Sequence, residues 1–340
     1  MVPGRLGGRL PAGVVTGGAG GRRPPYAGLV QLPRPTVAQI RGLAVATIVA
    51  NIGIVVTGGA VRLTGSGLGC PTWPECTTGS FVPHAALGWH GAIEYGNRLL
   101  TFVLAAVVGL AWLAALRTYP RRRDLVGLAT ILLLGIPLQA VMGGITVLTD
   151  LNPWVVSAHF MVSPALIAVA VVFARRTYES EGAARPSVPP SVRRLAQATL
   201  GTAFVVMYAG TVVTGSGPHA GDAKAPRNGL DPEAVSHLHA DLVFLLVGLT
   251  VGTLVALRAT GAPERARRAA LWLLVLEVGQ AIVGFVQYAT GLPPAVVNLH
   301  LLGAALTVAA ATWVVTGTRE LVDEAGPASD KEQHLAGTVA

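Results

Sequence analysis

Eight long apolar runs dominate the chain, near residues 40–61, 94–116, 125–147, 154–174, 195–214, 237–257, 268–289 and 295–317. Each is close to the roughly 20 residues that an α-helix needs to cross the hydrocarbon of a bilayer. A single segment in hydrocarbon satisfies its own backbone N–H and C=O groups only as a helix, so each run predicts a transmembrane helix. Between the runs lie polar stretches. Residues 1–38 are rich in Gly, Arg and Pro, contain no apolar core long enough for a signal peptide, and are expected to form a disordered basic tail. The stretch 177–194 carries Pro186, Pro189 and Pro190 and reads as a linker between two groups of four helices, and residues 319–340 read as a second tail.

Composition agrees. The 340 residues are 52% hydrophobic and only 12% charged, with a mean hydropathy of +0.57, where soluble domains carry about a quarter charged residues. A net charge of +8 would suit nucleic acid if it covered one face, but here the basic residues are clumped between hydrophobic runs. Arg5, Arg9, Arg22, Arg23, Arg34 and Arg41 precede the first run, and further groups fall in 117–123, 175–194, 258–268 and the C-terminal tail. Only Arg62, Arg98, Lys224 and Arg227 fall in the alternate loops. The positive-inside rule then predicts a multi-pass plasma-membrane protein with both termini cytoplasmic and the loops 62–93 and 215–236 outside.

The chain also reads as one unit written twice. The first run ends VVTGGAVRLTGSG (55–67) and the fifth AGTVVTGSG (209–217); the fourth opens WVVSAHF (154–160) and the eighth AVVNLHL (295–301). Gln139/Gln280, Gly143/Gly284 and His159/His300 share one offset of 141, and Asn97/His239 are offset by 142. Such self-similarity marks a structural repeat. The expected fold is therefore all-α: eight transmembrane helices as two tandem, pseudo-symmetric, parallel four-helix bundles, at 39–176 and 195–318.

The differences between the copies carry the candidate chemistry. His159 and His300 each lie about a turn and a half inside an apolar helix, and His239 opens the neighbouring helix of the second copy at a depth similar to His300. Two imidazoles facing each other across a four-helix bundle are what a bis-His haem requires. His237 is the rival to His239, but residues two apart on a helix point about 200° away from each other, and the repeat register selects His239. His84 and His219, in the outer loops, and His334, in the C-terminal tail, are expected to be solvated.

In the first copy the counterpart of His239 is Asn97, a poor iron ligand. His90 lies seven residues earlier, about 10 Å along the helix axis, and cannot simply substitute. The first copy thus offers one strong ligand, His159, and an open face, with Glu94 one turn from Asn97. A closed bis-His site suits electron transfer; an open face beside a carboxylate suits chemistry on a bound molecule. The alternative for Glu94 is an i,i+4 ion pair with Arg98. Arg62 and Arg98 are candidates to pair with haem propionates. Glu277, near the middle of the seventh run, is a further intramembrane acid whose counterpart is Ile136, so it serves something other than the shared scaffold. Cys70 and Cys76, with five residues between them, form neither a CxxC nor a zinc pattern. In an outer loop they suit a disulfide, with a redox-active pair as the alternative.

TGGAVRLTGSGLGCPTWPEC (57–76), IEYGNR (93–98), SAHF (157–160), LHADL (238–242) and NLHL (298–301) together resemble the haem A synthase family in its bacterial, actinobacterial-like form. The resemblance covers roughly residues 40–317. It implies eight helices in two halves and the oxidation of a methyl group of haem O to the formyl group of haem A, for the assembly of terminal haem-copper oxidases. It further implies a haem B held by His239 and His300, and a substrate haem on His159 with Glu94 as a catalytic acid–base or carbocation-stabilising residue. A Cys70–Cys76 disulfide is implied as well. Expected partners are haem O, haem A, membrane lipid, a haem O synthase and oxidase assembly proteins, with homo-oligomer formation left open. The departure is Asn97, where many members have a second histidine. Two other classes compete. One is a non-catalytic haem carrier or oxidase assembly factor, against which Glu94 beside an open haem face discriminates. The other is a di-haem cytochrome b, which would need two closed bis-His sites and is opposed by Asn97.

Overall fold

The computed structural model of the protein describes residues 34–179 and 184–321. Most of the basic N-terminal tail, and the C-terminal tail from residue 322 with His334, lie outside the described residues. Among the described residues eight helices are long and apolar enough to cross a membrane: α1 (Val37–Leu63), α2 (Gly88–Leu116), α3 (Arg123–Leu148), α4 (Pro153–Arg176), α5 (Pro190–Ser216), α6 (Pro232–Ala259), α7 (Glu264–Ala289) and α8 (Pro294–Gly317). Each contains one of the expected runs and exceeds most of them by a few residues. Several of the extra residues are polar or capping. Thr36 and Gln39 form a reciprocal capping box at α1, and α4, α5, α6 and α8 each start with a proline in the first turn, where its missing N–H costs no helical bond. The largest extension is at α2, which a short 3₁₀ turn (Ala85–Leu87) leads into, so that Trp89 and His90 are already helical.

In the first four helices α1 packs on α2, α2 on α3 and α3 on α4, and α4 closes on α1; α5 to α8 repeat the same ring. Lipid supplies no hydrophobic drive for helices to associate, so their approach depends on small side chains and close packing. The buried layers show this: Ala44, Ala111, Ala115, Ala129, Ala170 and Ala174 line the first ring around Phe173, and Ala196, Ala203, Ala266, Ala270 and Ala311 line the second around Leu257 and Leu273. The rings meet where α1 and α4 pack on α8 and α4 packs on α5. There Val55, Ile167 and Ala305 form a small core. Gly59 of α1 admits α8 so closely that a Cβ would stand 2.7 Å from Asn298 Oδ1.

At the end of the molecule carrying both long loops, Gly67 N–H donates to Gly221 C=O at 2.8 Å, and Leu151, Ala220 and Ala225 pack together. At the opposite end the linker is shorter than the proline pattern suggests, because α5 already begins at Pro190. A further element forms there: β1 (Ala184–Pro186) pairs antiparallel with β2 (Arg319–Leu321), joining the linker to the residues after α8. No periodicity in a three-residue strand announces such a contact.

Candidate functional site

In the second ring His239 and His300 stand on α6 and α8, each against a glycine of the preceding helix. A Cβ on Gly210 of α5 would lie 3.2 Å from His239 Cε1, and one on Gly284 of α7 would lie 3.6 Å from His300 Cε1. The Val206 carbonyl also faces His239, yet Nδ1 of both imidazoles is buried without a partner in hydrogen-bonding geometry. His237, two residues from His239, is exposed, as the helical turn requires.

The first ring repeats this arrangement on one side only. His159 of α4 lies against Gly143 of α3, where a Cβ would approach its Cε1 to 3.4 Å. One end of the Gln139 amide stands 3.0 Å from His159 Nδ1, and the other is bonded to Ser163 Oγ at 2.6 Å. The register of the repeat marked Gln139 and Gly143, but not that they hold the imidazole between them. Asn97 of α2 has its side-chain oxygen buried without a partner.

Glu94 is 6% exposed and has both oxygens engaged. Cys70 N–H donates to Oε2 at 2.7 Å, and Arg98 donates to Oε1 at 2.7 Å. The ion pair expected from the i,i+4 spacing is therefore present, and it extends into the outer loop. Arg98 also donates to the carbonyls of Cys70, Thr72, Pro74 and Glu75 at 3.1–3.4 Å. Its guanidinium is thus spread over loop carbonyls and one carboxylate, which its sequence position as a propionate partner did not foretell. The loop is closed by a Cys70–Cys76 disulfide, both cysteines being fully buried. Inside it, the Trp73 indole lies flush against Gly144 of α3, next to the glycine that bears on His159. The disulfide loop is therefore fastened on one side by Glu94–Arg98 and on the other beside the His159 pocket.

The remaining candidates are placed as follows. Arg62 reaches across the seam to donate to Thr214 C=O at 2.9 Å, with its Nε buried and unpaired. His90 Nδ1 is 3.0 Å from Ser66 Oγ, and its ring packs on Trp89 with centroids 3.8 Å apart. His84 is exposed. His219 corrects the expectation of a solvated loop residue: it is partly buried, and its Nε2 is bonded to Leu292 C=O at 2.8 Å, tying the loop before α6 to the turn before α8. Glu277 lies inside the second ring, 2% exposed, accepting from Thr250 Oγ1 at 2.7 Å.

The profile of the cytochrome oxidase assembly protein family matches residues 41–93 and 90–227, more than half of the chain. The chain belongs to that family. Curated relatives agree. A protein named heme A synthase from Geobacillus thermodenitrificans is 32% identical over 106 residues, which is 31% of this chain and 32% of its own length. Others of the same name come from Exiguobacterium sibiricum, 28% identical over 162 residues (47% and 54% of the two chains), and from Bacillus mycoides, 33% identical over 125 residues (36% and 40%). The chain thus spans between about a third and about half of the length of these relatives.

The cysteine bridge offers a first test within this family member. Closing so short a loop limits the unfolded chain by about 2 kcal/mol. Cys70→Ser is expected to lower the thermal midpoint of the purified protein by a few degrees and to open the 70–76 loop to protease. An unchanged midpoint with an equally protected loop would show that Glu94 and Arg98 hold it alone.

Proposed function

We propose that the protein is a haem A synthase, oxidising the methyl group of haem O to the formyl group of haem A for oxidase assembly. The observation that carries this reading is the asymmetry between rings: an imidazole on each of α6 and α8 in one, and a single imidazole on α4, with Asn97 and the anchored carboxylate of Glu94 on α2, in the other.

The His239/His300 pair suits a haem B. Each is an imidazole in an apolar bundle whose Nδ1 has no hydrogen bond that fixes the ring in a tautomer unable to ligate iron, and the flanking glycines leave both rings room beside the backbone. Among the described residues no three His, Cys, Asp or Glu side chains converge, so a bare ion would lack a protein ligand set, whereas a porphyrin brings four nitrogens of its own. Bound there, haem B supplies a one-electron path to the neighbouring ring. The Val206 carbonyl would orient His239 through its Nδ1–H.

His159 is assigned as the ligand of the substrate haem. The Gln139 amide nitrogen, donating to His159 Nδ1 and to the His159 carbonyl while its oxygen accepts from Ser163, would fix the imidazole in place for ligation. Asn97 leaves the opposite face without a second imidazole, and so accessible. Glu94, with one oxygen on a guanidinium and one on a backbone N–H, is held as an acceptor and an anion. That favours stabilising positive charge that develops as the methyl carbon is oxidised over acting as a proton donor. Arg98 acts through Glu94 and the loop, and Arg62 through the seam between rings. In this reading residues 39–176 form the substrate half and 195–318 the cofactor half. In the same reading the protein sits in the plasma membrane with both termini cytoplasmic, which the distribution of Arg and Lys supports. A haem O synthase and oxidase assembly proteins are the expected partners.

The direct test is incubation of the purified protein with haem O and a reductant under air, followed by mass identification of the extracted haems. Conversion to the formyl product, by way of the alcohol, is the expected result. Haem O bound and recovered unchanged in repeated preparations would replace the enzyme with a carrier.

A further inference from the structure

Glu277 has no part in the chemistry above, yet it is the most deeply buried acid in the described membrane helices. Its Oε1 accepts from Thr250 Oγ1 at 2.7 Å, while Oε2 is buried with no partner. The elements packed on α7 are α6 and α8. The titratable residues of α6 are Glu233, His237, His239 and Asp241 toward one end and Arg258 at the other; α8 has only His300, and α7 itself has Glu264, Arg265, Arg267, Arg268 and Tyr288 near its termini. Among the described residues none of these is ion-paired or hydrogen-bonded to Glu277. A carboxylate inside a bilayer is strongly disfavoured unless a positive charge stands near it, so the form this side chain takes depends on the charge of its surroundings.

Packing does not require an acid at this position. The first ring fills the equivalent place with Ile136, and the counterparts of Thr250 and Thr253 are Val108 and Ala111, all in the same scaffold. The second ring replaces that aliphatic cluster with a polar string. From Glu277 it runs to Thr250 (0% exposed), then one turn along α6 to Thr253 (1%), whose Oγ1 is 2.9 Å from Thr199 Oγ1 of α5. Thr199 in turn donates to Leu195 C=O at 3.0 Å, toward the end of the molecule that carries the linker. In the other direction, Gln280 lies one turn along α7, pressed on Gly303 of α8, and Gly284 lies one turn further, against His300. Seven residues separate Glu277 from Gly284, about 10 Å along the axis. At that distance in a low-dielectric interior, unit charges still act on each other appreciably.

Resting on the assignment of a haem B to His239 and His300, we propose that Glu277 is the proton-exchanging group of the second ring, binding a proton when that site is reduced and releasing it when the site is oxidised. The balance is simple. The ferric site, one electron, the Glu277 carboxylate and one proton give the ferrous site and the Glu277 carboxylic acid. The electron comes from a membrane quinol or, in the test, from dithionite. The proton reaches the carboxyl group at Oε1, from the Thr250 hydroxyl that donates to it. An oxidised iron carries an extra positive charge that favours the anion of Glu277; reduction removes it, and the acid becomes the stable form. The second ring is thereby able to take up electrons without accumulating charge in the membrane.

The test is a spectroscopic redox titration of the haem-loaded full-length protein, repeated from about pH 5 to pH 9, a span that covers documented buried glutamates. In the wild type the midpoint potential is expected to fall as pH rises. In Glu277→Gln the slope is expected to shrink to what the haem propionates alone produce. Reduced-minus-oxidised infrared spectra should show a carboxylic C=O band in the wild type that Glu277→Gln lacks. Glu277→Ile, which copies the first ring, serves if the glutamine variant does not fold, and Thr250→Val should shift the pH at which the slope appears without abolishing it. Equal slopes in wild type and both Glu277 variants, with no band lost, would overturn the proposal while leaving the haem assignment intact. Absence of any bis-His haem spectrum in the wild type would overturn that assignment and the proposal with it.

Discussion

In Glu94→Gln, formation of haem A is expected to fall by about 10²- to 10³-fold, the usual cost of removing one preorganised electrostatic group from an active site. The spectrum of the His239/His300 site should stay intact, because that site lies in the other ring, and haem O should still bind through His159. The alcohol intermediate is expected to accumulate if the carboxylate acts after the first oxidation. Glu94 also holds the disulfide loop through Cys70 N–H and Arg98, so a loss of activity could come from a displaced loop. Arg98→Met separates the two roles. It removes the guanidinium and its contacts to the loop carbonyls but leaves a carboxyl group on α2. If the loop alone matters, Arg98→Met should match Glu94→Gln in product yield and in protease exposure of residues 70–76. If charge at Glu94 matters, Glu94→Gln should lose activity with the loop still protected. Haem A made at the normal rate by Glu94→Gln would reduce Glu94 to an ion-pair partner, and the chemistry would pass to the substrate haem and His90.

The second large effect concerns the iron ligands. His300→Ala and His239→Ala should each abolish the low-spin bis-His absorption of the purified protein outright, because a bis-imidazole site has no third imidazole in reach. His237→Ala should leave it unchanged, since that side chain is exposed on the opposite side of α6. Retention of the low-spin spectrum in His300→Ala would remove the cofactor from the second ring. Gly210→Leu should weaken haem retention with both ligands present, because the position already stands within 3.2 Å of the His239 ring.

Much of this was legible along the chain because the bilayer is a severe solvent. Twenty apolar residues in a row have one satisfactory backbone structure there, so the number and class of the helices follow from hydropathy. The doubled motifs then placed His159, His239 and His300 in register before any coordinate was known, and the i,i+4 spacing of Glu94 and Arg98 foretold their ion pair. What stayed hidden were contacts between segments far apart in sequence. That Glu94 accepts from Cys70, that Trp73 rests on Gly144, that Gln139 meets His159 and that His219 is bonded to Leu292 all depend on how helix ends and loops come together. The pairing of β1 with β2 is of the same kind.

The sequence by itself therefore determined the eight spans, the repeat and the set of polar residues that apolar helices must accommodate, since each of these is a local or periodic property. Only the tertiary structure decided which of those polar groups are satisfied and which are not. Glu94, which the sequence allowed either as a free carboxylate at an open face or as a partner of Arg98, has both oxygens engaged, while Nδ1 of His239 and of His300 and Oε2 of Glu277 are buried without partners. The physical reason is that a hydrogen bond is settled within a few tenths of an ångström, a precision that spacing along one helix cannot carry across to another.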